Sequence, residues 1–457
     1  MTRLRNSHTV FLAAICTGTI LNPLNSSMIA LALHSIQNDY RLSFATVSWL
    51  VSGFYLASAV GQPLTGKMGD LVGRKRIFMI GLVIAAIAAI GAPLAPAFLF
   101  LLLMRILQAA GSSAVYPSGV ALVQGHVIHD KQASSLAVLA ICASVMTAFG
   151  PTVGGFLIVW GGWPGIFYVN LPFIFVSFTL GWLVIPKDVK KTGVNFRSVI
   201  HDLDLPGIFL FSTGMICLLW FLLTLEEAVH VFVAGIGLLS FVFFAWREWR
   251  TEKPFVDLRL LKKNHTLSLV YLLFVLMNLA NYCLFYGMPT YFQSALHFNV
   301  RLSGMMMLFM SMASVAVSLL TGRWVDRIGP GAPIKTSATA TVAGAILLLL
   351  VTLNQSAAMI GIALIVLGAG YGVGNVALQS AMLDVSPKES VGISSGLFQT
   401  CRYIGSILSS AVLGLIFGKT VTAAHLLTLS WVLIAVSIPA LLLSLVFFRN
   451  GRRLSAH

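Results

Sequence analysis

Two apolar stretches of the sequence carry a polar trio at the same spacing. Asn22, Asn25 and Ser26 stand at i, i+3 and i+4, and Asn278, Asn281 and Tyr282 repeat that spacing 256 residues later. Residues three and four apart share one face of a helix, so each trio forms a polar stripe. Amides and hydroxyls donate and accept hydrogen bonds without carrying charge at neutral pH. Such a stripe can solvate the polar part of a solute, or it can bond a neighbouring helix. Two arginines, Arg105 and Arg402, also lie within apolar runs, with Gln108 one turn beyond the first. A charge there costs about 2.5–3.5 kcal/mol on insertion scales, so each arginine must face water, carbonyls, amides or a ligand.

The elements that position these residues follow from composition. Of 457 residues, 58% are hydrophobic and 9% charged, and the mean hydropathy is +0.92. A soluble domain carries about 25% charged residues. The expected class is an all-α polytopic membrane protein. A β-barrel would alternate over segments of about ten residues, whereas the apolar runs here are unbroken and about twice as long. "MTRLRNSH" leads into an apolar segment with no small-residue cleavage site, so the first span reads as a retained anchor. Cys16, Cys142, Cys217, Cys283 and Cys401 all fall in apolar segments without C-x-x-C pairing, and read as packing residues with no disulfide or metal role.

Apolar windows predict fourteen transmembrane helices near 10–33, 45–65, 77–95, 98–123, 134–159, 164–185, 205–224, 229–246, 267–292, 302–321, 334–353, 357–382, 391–418 and 426–448. With the N-terminus inside, 24 of the 29 Lys and Arg residues fall in inside segments and three outside, while Arg105 and Arg402 lie within spans. This is the positive-inside pattern, and it puts both termini in the cytoplasm. It assigns the net charge of +15 to topology and to attraction for anionic membrane lipid, not to nucleic acid.

The offset of 256 extends beyond the trios. Gln37 maps to Gln293, and Gly66, Asp70 and Gly73 map to Gly322, Asp326 and Gly329. Six identities in one ungapped register imply parallel repeats. The predicted plan is a six-helix bundle over 1–186, a central linker with two extra spans over 187–265, and a second six-helix bundle over 266–457. Parallel repeats with a binding site between them are a transporter plan. Spans 1 and 9 are then expected to line a central cavity. The alternative is that their amides bond within each bundle.

The repeated segment "GKMGDLVGRKR" (66–76) joins spans 2 and 3. Asp70 stands between glycines that permit a tight turn and close helix approach, and Arg74, Lys75 and Arg76 are expected to meet the lipid surface. An acid at a bundle seam can bond a helix terminus in one conformation and release it in another. The same stretch nearly fits a nucleotide-binding loop through Gly61, Gly66 and Lys67, but Met68 replaces the magnesium-binding hydroxyl, which argues against ATP-driven transport. Further on, Gly150, Pro151, Gly154 and Gly155 combine a helix kink with a G-x-x-x-G face for close packing.

In these motifs the chain resembles the major facilitator superfamily, and within it the fourteen-span drug:proton antiporters. Gly66, Asp70, Gly73, Arg74 and Lys75 match the loop 2–3 motif, although Leu71 replaces its usual arginine. "RILQAAG" (105–111) matches the span-4 motif, "GPTVGG" (150–155) the antiporter motif, and "WPGIFYVNLP" (163–172) the start of span 6. The resemblance implies a secondary exporter of amphipathic small molecules, multidrug efflux type, coupled to protons by antiport and working in the cell membrane as a monomer without a cofactor. It implies that the Gly150–Gly155 segment lies where the halves rock, and that loop 66–76 switches conformation.

One departure matters. Relatives carry an aspartate in span 1 where this chain has Asn25 within "LNSSMIALALH" (24–34). None of the fourteen Asp and Glu residues falls near a midplane, and only Glu226 and Glu227, at the outer end of span 7, approach the membrane as possible proton sites. The second reading is therefore a transporter of an anionic metabolite or lipid-like solute, with Arg105 and Arg402 as anion ligands. A membrane-embedded enzyme is disfavoured by the absence of H-E-x-x-H, G-x-S-x-G and paired intramembrane aspartates.

Overall fold

The computed structural model describes residues 8–188, 204–224, 230–252, 254, 256, 258–354, 357–386, 391–418 and 421–454, and every regular element among them is helical. In the first half these are α1 (His8–Thr19), α2 (Leu21–Tyr40), the single turn α3 (Phe44–Val47), α4 (Trp49–Val72), α5 (Arg74–Gly91), α6 (Phe98–His126), α7 (His129–Gly161), the turn α8 (Gly165–Tyr168) and α9 (Asn170–Val184). Then come α10 (Leu205–Thr224), α11 (Val231–Arg250) and the short α12 (Leu258–Lys263). The second half is α13 (His265–Ser294), α14 (Val300–Ile328), α15 (Gly331–Asn354), α16 (Ala357–Val385), α17 (Val391–Phe417) and α18 (Ala423–Leu454).

Thirteen helical segments among the described residues are long and apolar enough to cross a membrane, the first running from His8 to Tyr40. The expected fifth span falls in α7, where the shorter stretch Phe149–Gly161 is apolar. The first span is broken between α1 and α2 because Pro23 has no N–H to bond the Thr19 carbonyl. The backbone bridges the gap at Ile20, whose N–H bonds Cys16 O and whose carbonyl accepts from Leu24, both at 3.0 Å.

The chain divides into two compact units. One comprises Met1–Tyr40, Trp49–Thr213 and Thr251–Phe255, and the other Arg41–Ser48, Gly214–Arg250 and Val256–His457. The core of the first gathers Ile15, Leu21, Phe78, Leu82 and Val115, and that of the second gathers Val270, Phe274, Ala377, Leu378 and Phe398.

Inside each unit the same helix pairs meet. In the first, α2 packs on α7, α4 and α5 on α6, α5 on α9 and α1 on α9. In the second, α13 packs on α17, α14 and α15 on α16, α15 on α18 and α13 on α18. The offset of 256 also governs backbone details that residue identity does not show. Arg41 and His297 both adopt positive φ, at 53° and 55°, as do Gly73 and Gly329, at 120° and 76°. Ser43 and Asn299 are both N-caps, their side chains accepting from the N–H three residues on. Different residues thus perform the same local task in each copy, which is stronger support for duplication than the six identities.

Burial separates the spans. In the most apolar windows, 67% of residues are buried for the α13 and α17 spans, against 28% for α10 and 22% for α11. Phe232, Leu238 and Trp246 of α11 are exposed, as expected of a helix that faces lipid with most of its circumference.

Candidate functional site

In the first unit the polar stripe of α2 meets α6. Arg105 is 1% exposed. Its Nη1 donates to Gln108 Oε1 at 2.6 Å and its Nη2 to the Asn25 carbonyl at 3.2 Å, while Gln108 Nε2 donates to Asn25 Oδ1 at 2.9 Å. The guanidinium lies 4.3 Å from the Phe54 ring centroid and 6.0 Å from that of Phe167. Carbonyl, amide and ring faces therefore hold this cation where water is excluded. Asn22 Nδ2 donates to Ser112 Oγ of α6 at 3.2 Å, whereas Ser26 bonds back to Pro23 O at 3.0 Å in its own helix.

The "WPGIFYVNLP" segment supports this network. Asn170 Nδ2 donates to the Ile166 and Phe167 carbonyls at 3.1 and 3.0 Å, and Trp163 Nε1 donates to Asp39 at 2.6 Å. These bonds fix the turn α8 that carries Phe167, so the segment positions a ring for Arg105. Gly111, at the end of "RILQAAG", lets α6 cross α5: a Cβ there would lie 2.8 Å from the Gly81 carbonyl oxygen.

In the second unit the stripe of α13 is met by α16 and α17. Arg402 is half-buried, its Nη2 donating to Asn375 Oδ1 at 3.1 Å and its guanidinium 5.5 Å from the Phe274 centroid. Phe274 stacks on Phe398 with centroids 3.6 Å apart. Asn278 Nδ2 donates to Phe274 O at 2.8 Å, and its Oδ1 accepts from the Tyr371 hydroxyl at 3.5 Å. Asn281 is buried, and its Oδ1 has no hydrogen-bond partner among the described residues. Tyr282 stacks on Tyr286. Sequence reasoning missed Tyr371 and Asn375. The signal was available, since "GYGVGN" (370–375) sets two polar side chains one helical turn apart inside an apolar span.

The switch segment differs from its expected form. Helix α4 runs unbroken through Gly66 to Val72, and α14 runs through Gly322 to Ile328. Only Gly73 and Gly329 turn the chain, each with the positive φ that glycine adopts without strain. Gly66 and Gly322 make no close approach: the nearest atom to a Cβ on Gly66 would be 3.9 Å away, and at Gly322 there would be none within 4 Å.

Two of the three cations also serve the protein interior, contrary to the expectation that all meet lipid. Arg74 Nη1 donates to Ala121 O at 2.6 Å, and Lys75 Nζ to Ile185 O at 2.5 Å and Trp182 O at 3.1 Å, so both engage carbonyls near the ends of α6 and α9. Helix C-termini attract cations through their unbonded carbonyls. Arg76 remains exposed. A residue that sequence reasoning passed over completes the arrangement. Asp188 accepts from the Lys75 and Arg76 backbone N–H groups, both at 3.0 Å, and so caps the start of α5. The side chains of Asp70 and Asp326, and all of Glu226 and Glu227, lie outside the described residues.

Gly150 and Gly154 form the seam of α7 with α2. A Cβ on Gly150 would overlap the Ser27 side chain, and one on Gly154 would come within 3.2 Å of Met28 Cα. Ser27 Oγ itself lies 3.3 Å from Met146 O of α7. Pro151 sits inside α7, and both it and Gly155 are buried.

A duplicated bundle of apolar helices with amides and arginines in mid-helix defines a polytopic membrane transporter. The sequence profile of the Major Facilitator Superfamily matches residues 15–410, and the chain belongs to that family. It is 56% identical over 443 residues to the "Uncharacterized MFS-type transporter YwoD" of Bacillus subtilis (strain 168), covering 97% of this chain and 98% of that one. It is 25% identical to the "Tetracenomycin C resistance and export protein" of Streptomyces glaucescens, covering 90% of this chain and 76% of the relative. It is 23% identical to "Riboflavin transporter RibZ" of Clostridioides difficile (strain 630), covering 90% and 89%. Among solved structures, a D-xylose-proton symporter superposes with a TM-score of 0.71 at 12% identity over 97% of this chain and 98% of that one, a likeness of fold alone.

Proposed function

We propose that this major facilitator transporter is of the fourteen-span type and exports amphipathic small molecules by proton-coupled antiport through alternating access. The observation that carries the reading is the α2–α7 seam. There Gly150 and Gly154 bring the backbone of α7 against Ser27 and Met28. A seam without intervening side chains lets a helix pair keep its register while a bundle rocks. The printed function of the Streptomyces relative, resistance and export, agrees with it. The loop 66–76 and its copy at 322–329 act as the switch, with Asp70 and Asp326 stabilising one access state. Both termini are cytoplasmic, and the protein works in the cell membrane as a monomer.

A second reading, transport of an anionic or lipid-like solute, is favoured by the two mid-helix arginines and by the asparagine at position 25. One experiment separates the two: accumulation of cationic, neutral and anionic fluorescent compounds in cells with and without the protein, followed by proteoliposomes under an imposed pH gradient. Lower accumulation of amphiphiles that depends on the gradient is expected. Accumulation that is unchanged for every compound, or raised by the protein, refutes export.

A further inference from the structure

No sequence spacing pairs the five cysteines, yet the fold brings two of them together. Cys16 of α1 and Cys142 of α7 are 126 residues apart and are joined by a thiol–thiol hydrogen bond. Both are free thiols and both are half-buried. The other three cysteines belong to the second unit, where Cys283 and Cys401 are buried. We infer that Cys16 and Cys142 form a dithiol site that takes a neutral, thiophilic electrophile such as a trivalent organoarsenical, bonded to both sulfurs at once. The site is independent of what the protein transports.

Three arguments carry it. The first is register. Helices α1 and α7 pack on each other, and His8 Nε2 shares a hydrogen bond with Ser135 Oγ at 3.1 Å. From His8 to Cys16 and from Ser135 to Cys142 the two helices advance about 12 and 10 Å, at roughly 1.5 Å per residue, so they run in the same direction with matched rise. One turn beyond Cys142, Ser27 Oγ lies 3.3 Å from Met146 O. The thiol pair thus sits between two fixed contacts and is preorganised for a bidentate ligand. The second is surroundings. Cys16 lies within the first membrane-spanning segment, and with Leu12 it packs against the core that holds Ile15 and Leu139. Such a place opposes a thiolate or a multivalent metal ion, but it admits a neutral molecule dissolved in the bilayer. The third is the chemistry. An arsenic(III) oxide R–As=O condenses with two thiols to R–As(S–Cys)2. Two As–S bonds form, the As=O bond breaks, and the two thiol protons leave with the oxygen as water. Nothing is oxidised or reduced, and no charge is created in the apolar interior.

The test treats the purified full-length protein with phenylarsine oxide and reads the product by intact-protein mass spectrometry and peptide mapping. Wild type should gain one phenylarsenic group per chain that survives excess glutathione, a monothiol, and is removed by 2,3-dimercaptopropanol, a dithiol. Mapping should find the peptides of α1 and α7 joined through Cys16 and Cys142, a result that needs no variant to fold. Cys16→Ser and Cys142→Ser should each weaken retention roughly hundredfold or more, the gain that a second attachment to one ligand provides. Cys217→Ser, at a half-buried cysteine of the other unit, should retain the adduct. Because the bridge closes a long loop of the chain, it should raise the thermal midpoint by about 2 °C or more in wild type and in neither Cys16→Ser nor Cys142→Ser. An adduct that glutathione strips, that maps to other cysteines, that persists in both serine variants, or that leaves the midpoint unchanged overturns the inference, as does the absence of any adduct. Each of these outcomes leaves the transport reading intact.

Discussion

Adding a single methyl group at Gly150 should reverse the usual sign of a Gly→Ala change in a helix. In an exposed helix interior alanine is favoured over glycine by about 0.8–1.0 kcal/mol. At Gly150 the new Cβ would stand 2.5 Å from Ser27 Cβ, on a side chain that is fully buried. Carbon atoms pack at about 3.5–4.0 Å, so α7 and α2 would have to part by about 1 Å. Ser27 cannot swing aside freely, because its hydroxyl bonds Pro23 O at 2.7 Å. Overpacking of this kind costs about 1–3 kcal/mol, which outweighs or cancels the gain in helix propensity. Gly161, in the same helix, is the control, since a Cβ there would meet nothing within 4 Å. Thermal midpoints of the purified variants, with dye export in cells, provide the readout. Gly150→Ala should lower both, Gly161→Ala should lower neither, and Ser27→Gly combined with Gly150→Ala should recover most of the loss. Equal shifts for the two alanine variants, or additivity of Ser27→Gly with Gly150→Ala, would refute the seam as a close-packed contact.

Four further outcomes are expected. Asp188→Ala should destabilise the protein by about 0.5–2 kcal/mol through loss of the cap on α5, seen as a lower thermal midpoint at unchanged dye selectivity. Asp70→Asn should leave abundance intact but impair transport, and full transport by that variant would reduce the loop to a topology signal. Asn25→Asp sets a carboxylate against the buried Arg105 and Gln108, which supply its positive and N–H partners, so the preference between a quaternary ammonium dye and a neutral one should not change; a selective gain for the cation would sink that account. A cysteine placed near residue 195 should resist an impermeant thiol reagent added to intact cells, and prompt labelling from outside would overturn the proposed topology.

Most span positions and the duplication could be read from the sequence because each rests on a property of the chain in one dimension. Apolar length marks a span, cation asymmetry suggests its direction, and the recurrence of Gly66, Asp70 and Gly73 at Gly322, Asp326 and Gly329 marks the repeat. The tertiary structure decided matters that depend on partners far apart in the chain. Arg105 meets Asn25 across 80 residues, Asp188 meets Lys75 across 113, and no spacing rule announces either pair. The backbone turns at Arg41 and His297 belong to one register although the residues differ, since a conformation can repeat where an identity does not. The sequence also could not tell the surroundings of Arg105 from those of Arg402. Hydropathy fixes the depth of a side chain in the membrane, but only the packing of neighbouring helices determines whether it is sealed in, as Arg105 is, or left half open, as Arg402 is.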